Sequence, residues 1–97
     1  LPMSPQQLFE DEVTLSNRLR DTGEFEQALA ALERAAAISE EHPQLAPPSV
    51  AAHMYIARGV LYRELGRQSQ ALEAYGAAVQ LFTAISEPND SERHGLG

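Results

Sequence analysis

The sequence predicts an all-α fold of two antiparallel helix–turn–helix pairs. The first observation behind it is a line of residues that occurs twice. One copy reads Leu19-x-x-x-Gly23-x-x-x-x-Ala28-Leu29-x-x-Leu32-x-x-Ala35-x-x-Ile38, and the other Tyr62-x-x-x-Gly66-x-x-x-x-Ala71-Leu72-x-x-Tyr75-x-x-Ala78-x-x-Leu81. The two glycines stand 43 residues apart, and every other member keeps its offset from its glycine. The second observation is helical spacing of apolar and alanine residues through each segment. The third is punctuation: Gly23, the Pro43–Pro48 stretch, Gly66 and Pro88 fall between those segments.

Each helix has its own warrant. Met3-Ser4-Pro5-Gln6-Gln7-Leu8 reads as a helix start, with Ser4 as cap and Pro5 at the first helical position. Gln7 would complete a capping box, and Met3 and Leu8 a hydrophobic staple. Leu8, Leu15 and Leu19 then share one face, and Asp21-Thr22-Gly23 ends the helix. The second helix runs from about Glu24 to Glu41 with Ala28, Leu29, Leu32, Ala35, Ala36 and Ile38 on its apolar face. His42 to Pro48 reads as a connector. Ser49 is expected to cap a third helix, from about Val50 to Leu65, that carries Tyr55, Gly59, Leu61, Tyr62 and Leu65. Gly66 ends it. The fourth, from about Gln68 to Ile85, carries Ala71, Leu72, Tyr75, Ala78, Val79, Leu81, Phe82 and Ile85. The units are therefore a first pair over about 5–41, a connector over 42–48, a second pair over about 49–86 and a polar tail over 87–97, expected to be flexible.

The 97 residues amount to one domain. A chain this short buries about two thirds of its surface, so its core is modest. A hydrophobic content of 43% is enough for folding. The net charge of −7 argues against nucleic acid and against an anionic membrane surface. All seven basic residues are arginine. The absence of cysteine excludes thiolate metal sites. No apolar run approaches the ~20 residues that span a bilayer, and no signal peptide is visible, so a cytoplasmic location is the default expectation. A start at Leu1 suggests a piece of a longer protein.

These residues resemble the tetratricopeptide repeat. The second copy supplies Tyr55, Gly59, Tyr62, Gly66, Ala71, Tyr75 and Ala78. The first supplies Ser16, Leu19, Gly23, Phe25, Ala28, Leu32 and Ala35. The match covers about residues 10–40 and 52–85. The resemblance implies a fragment of a right-handed α-solenoid. Gly59 or Ser16 would let the helices of a pair approach closely, Ala28 and Ala71 would lie at their crossing, and Leu32 and Tyr75 would fill the gap between repeats. Glu12 departs from the bulky residue usual at its place and Arg58 from leucine. The 43-residue period exceeds the usual value of about 34. The long connector resembles that of the extended repeats of kinesin light-chain-like proteins.

The family uses the first helix of each pair to line a concave groove. Carried over, that implies a partner-binding groove of Val13, Asn17, Arg20, His53, Ile56, Val60 and Arg63, with Glu10, Thr14, Asp21, Ala57 and Glu64 beside them. Repeats that grip the acidic tails of heat-shock chaperones use Lys, Asn and Arg in such a groove. Val13 and Ala57 stand at two of those places here, so no binding of such tails is expected. Chemistry is not expected either. His42, His53 and His94 have no second ligand at metal-binding spacing, no glycine-rich phosphate loop precedes a helix, and no serine has a matching base. Neither an enzyme nor a cofactor site is expected.

The leading functional expectation is a protein–protein interaction scaffold that binds a peptide or helix of a partner. The alternative is self-association. The last helix carries more apolar surface than one neighbour covers, and Val79, Phe82 and Ile85 mark a face that a homodimer or further repeats would bury. A third expectation is a regulatory segment of a larger sensor or transcription regulator.

Overall fold

The computed structural model describes residues 3–86. The tail expected over 87–97 lies outside the described residues. Four α-helices follow in order: α1 (Pro5–Asp21), α2 (Phe25–Glu41), α3 (Pro48–Glu64) and α4 (Gln68–Ser86), with a single 3-10 turn at Pro43–Leu45 between α2 and α3. α1 packs on α2 and α3 on α4, and the two pairs meet through α2 and α3. The chain is thus all-α, in two helix–turn–helix pairs.

The two tight turns have the same geometry. Gly23 takes φ +82° and Gly66 φ +77°, the left-handed region where a side chain is strained. At the first turn the N–H of Gly23 donates to Arg20 O at 3.0 Å and that of Glu24 to Leu19 O at 2.8 Å. At the second, Gly66 donates to Arg63 O at 3.0 Å and Arg67 to Tyr62 O at 2.8 Å. This pair of bonds is the Schellman motif, which satisfies carbonyls left over at a helix end.

The small residues of the doubled line sit at the helix crossings. Ser16 is buried, and its Oγ donates to Ala28 O at 2.8 Å, so α1 and α2 touch there. At Gly59, the matching place in α3, a Cβ would lie 2.7 Å from Tyr75 Cε1. Ala28, Ala35, Ala71 and Ala78 are all buried. The core is the cluster of Ala28, Leu29, Leu32 and Leu61, with Leu19, Phe25, Met54, Ala57, Tyr62 and Leu65 packed against it. Burying a leucine side chain stabilises by roughly 1.5–3 kcal/mol, so this cluster supplies much of the grip between the two pairs.

Four local expectations need correction. The face of α1 that is buried carries Phe9 and Ser16, while Leu8 and Leu15 are exposed. The helix is turned by one residue because Ser16, not Leu15, must meet Ala28. The capping box is half formed: Ser4 Oγ accepts from Gln7 N at 3.2 Å, but the Gln7 side chain donates to Asp11 Oδ1 at 2.9 Å. Met3 and Leu8 both remain largely exposed rather than closing a tight staple. α3 begins at Pro48, with Pro47 as its cap, so Ser49 is already helical. Proline suits the first helical position, where its missing N–H is not needed.

Polar contacts tie the helices at their edges. Glu12, where the repeat usually has a bulky residue, accepts from Arg34 Nε on α2 at 2.7 Å. That bond and its charge hold the Arg34 pKa above its ordinary value. Arg67, just before α4, donates to Glu26 Oε1 at the start of α2 at 3.0 Å.

A candidate partner-binding groove

α1 and α3 are the first helices of their pairs, and a groove opens between them. It encloses a cavity of about 650 Å³. α1 contributes Phe9, Glu10, Val13, Thr14, Asn17 and Arg20; α3 contributes Val50, His53, Met54, Ile56, Ala57 and Val60; Leu32 of α2 closes the floor. The spacing explains the set. Residues three and four apart on a helix share a face, so Glu10, Val13, Asn17 and Arg20 form one stripe and His53, Ile56 and Val60 the other.

The structure thus brings together Val13, Asn17, Arg20, His53, Ile56 and Val60. Glu10, Thr14 and Ala57 join them. Arg63, Asp21 and Glu64 do not line the cavity. Arg63 is exposed beside Glu64, with 3.9 Å between Nη2 and Oε2. The lining residues that sequence reasoning missed are Phe9, Leu32, Val50 and Met54. A sequence marks such residues as core, and only the gap between α1 and α3 exposes part of them to a ligand.

The groove is apolar along its middle and polar at both ends. Glu10 and His53 hold matching places at one end, and Asn17 and Arg20 lie toward the other. Among the described residues Arg20 meets a carboxylate only at the ion-pair limit, Asp21 Oδ1 at 4.0 Å. Its guanidinium donors therefore remain open to another acceptor. His53 Nδ1 lies 2.7 Å from Ser49 O, so that nitrogen carries the proton and donates. The imidazole also meets Phe82 edge-on, with ring centroids 5.5 Å apart and planes at 87°. Phe82 is therefore half-buried within its own pair, whereas Val79 and Ile85 are exposed.

Arg58 occupies a separate place. It stands 5.7 Å from the Tyr55 ring centroid, a cation–π contact. Its Nε is buried without a hydrogen-bond partner among the described residues. Two small crevices, of about 120 and 170 Å³, share Tyr55 and Arg58. Glu40 borders one and Glu73 the other, which makes them poor sites for an anion.

Among the described residues no group of three or more His, Asp or Glu is placed to hold a metal ion. No described helix is long and apolar enough to cross a membrane. No curated protein and no solved structure matches the chain significantly. Family models described as tetratricopeptide repeat match residues 13–42 and 52–83. Each match covers one of the two glycine turns and most of the helical residues on either side of it. With two tandem matches on two such pairs, the chain belongs to the tetratricopeptide repeat family, a family of non-catalytic scaffolds for protein–protein interaction.

Proposed function

We propose that the chain holds a segment of a partner protein along the groove between α1 and α3. The observation that carries this is the cavity itself, walled by both repeats and open to a ligand. From Glu10 to Arg20 the groove follows α1 for about 15 Å, at about 1.5 Å per residue. That length accommodates about four or five extended residues, or about three turns of helix.

The lining specifies the chemistry of the segment. Val13, Ile56 and Val60 call for aliphatic side chains at its centre. Arg20 and Asn17 call for a carboxylate at one end, held by charge-assisted and amide hydrogen bonds. Glu10 favours a basic or amide group at the other end. Acidic chaperone tails are disfavoured, because Val13 and Ala57 offer no compensation for removing water from several carboxylates.

Random peptides displayed and selected on the full chain test this reading. The expected winners carry an aliphatic centre and one acidic end. Val60→Glu should weaken them tenfold or more, a change of about 1.4 kcal/mol per factor of ten. Arg20→Ala should weaken acidic-ended peptides more than their amide counterparts. Selected peptides that bind Val60→Glu as well as the unaltered chain would refute the groove as the site.

A further inference from the structure

His53 is held on two sides at one end of the groove, although it is exposed. Its Nδ1–H donates to Ser49 O, one turn earlier in α3, at 2.7 Å. Its ring packs edge-on with Phe82 of α4, with centroids 5.5 Å apart. The two contacts fix both the ring and its tautomer. With the proton on Nδ1, a neutral imidazole offers Nε2 as an acceptor. Nδ1 is engaged with its own helix, so Nε2 is the polar atom that His53 has left for a ligand.

Glu10 holds the matching place in α1 and lines the same cavity. Its Oε2 accepts from Gln6 Nε2 at 3.1 Å. A carboxylate has about four lone-pair positions, so Glu10 can take further donors. This end of the groove therefore offers acceptors, one of them with a negative charge. Other charges are remote from it. Arg20 lies about 15 Å further along α1, beyond the screening length of about 8 Å at physiological salt. Phe82 brings no charge, and Glu73, the only charged residue of α4, borders the crevice beside Arg58 rather than the groove. Within α3 the neighbours one turn from His53 are Ser49, Val50, Ile56 and Ala57, all uncharged. α2 contributes only Leu32 to the cavity.

We propose that His53 makes capture of the partner pH-dependent: a segment with a Lys or Arg side chain beside Glu10 and His53 is held near neutral pH and released on mild acidification. This rests on the groove reading above. The N–H groups of such a cation match the two acceptors, and its charge matches Glu10. Histidine takes up a proton between about pH 8 and pH 5. Once His53 does so, Nε2 carries a hydrogen and its positive charge offsets that of Glu10. The cation then meets a donor and a like charge where it had an acceptor. The bound cation thus favours the unprotonated imidazole, and by linkage its affinity falls as the pH falls.

Peptides selected from a random library on the full chain at pH 7.5 test this. The expected winners carry Lys or Arg at one end. For winners without histidine of their own, titration calorimetry should show affinity falling about tenfold from pH 7.5 to pH 5.5. The amide oxygen of the His53→Gln variant accepts at either pH, so that variant should bind the same peptides at pH 7.5 and lose the pH dependence. Helical circular dichroism should stay unchanged over this range for both proteins. Winners that depend on Val60 but lack a basic end would overturn this inference and leave the groove reading standing, as would acid weakening of equal size in His53→Gln. Winners that ignore Val60→Glu would overturn the groove reading, and this inference with it.

Discussion

Gly59 owes its identity to room. Its backbone is helical, and a Cβ would meet three atoms of the Tyr75 ring within 2.9 Å. At the matching places the first copy has Ser16 and Leu32, both buried. Ser16 is accommodated because its hydroxyl hydrogen-bonds Ala28 O across the interface. Small-with-aromatic in one pair thus matches serine-with-leucine in the other. Gly59→Ala gains about 1 kcal/mol of helix propensity, but the clash costs about 1–3 kcal/mol. The expected net result is a lower urea midpoint. Adding Tyr75→Leu should return most of that loss relative to Tyr75→Leu alone, as a double-mutant cycle would register. Strictly additive effects would show that the ring is not what requires the glycine. Gly23 and Gly66 answer a different demand, since each has open space around it but a positive φ.

α1 and α3 both begin near a serine and a proline, yet only one serine caps. Ser4 precedes Pro5 and accepts from Gln7 N at 3.2 Å, whereas Ser49 follows Pro48 and lies inside the helix. Ser4→Ala is expected to lower stability by about 1 kcal/mol. Ser49→Ala should stay within about 0.5 kcal/mol of the unaltered chain, since alanine is the better helix former. Thermal or urea unfolding of the two variants side by side checks this, and equal losses would contradict the assigned start of α3. The same pair of helices shows what the sequence could reveal. The glycine turns and the alternation of small and large residues were legible because both occur twice at fixed offsets. The turn of α1 about its axis was legible only through the repeat resemblance, which set Ser16 at the close approach, and not through apolar spacing. Leu8, Leu15 and Leu19 make an apolar stripe by spacing, whereas the approach of α2 buries Ser16 beside Ala28. The groove was legible in its polar and aliphatic rim, from Glu10 to Val60. Its floor was not, because Leu32 and Phe9 have the periodicity of core residues and the gap above them is a property of packing.

At the scale of the whole molecule the two ends differ. The outer face of α1 mixes exposed Leu8 and Leu15 with exposed Asp11, Arg18 and Thr22, and the outer stripe of α4 is apolar, with Leu72 and Val79 exposed. In stacked repeats a terminal unit needs a polar outer face to stay in solution. α1 meets that condition in part, through Asp11, Arg18 and Thr22, and α4 does not. The contrast between Leu29 and Leu72 turns this asymmetry into a measurement, because one side chain holds one place in two copies and differs only in its cover. Leu29→Ala removes a side chain from the core between the pairs and should cost about 2–5 kcal/mol. Leu72→Ala at low protein concentration should cost no more than about 0.5 kcal/mol, as an exposed substitution does. Raising the concentration leaves the first loss unchanged. Self-association through α4, the alternative that the sequence raises, would enlarge the second, because association adds stability to the folded state by mass action and Leu72→Ala would weaken it. Urea unfolding of both variants over a wide concentration range reads this out. A Leu72→Ala loss that stays small at every concentration would mean that no second copy covers α4. A loss as large as that of Leu29→Ala even in dilute solution would mean that Leu72 is already covered within the single chain, contrary to the packing of α4 described above.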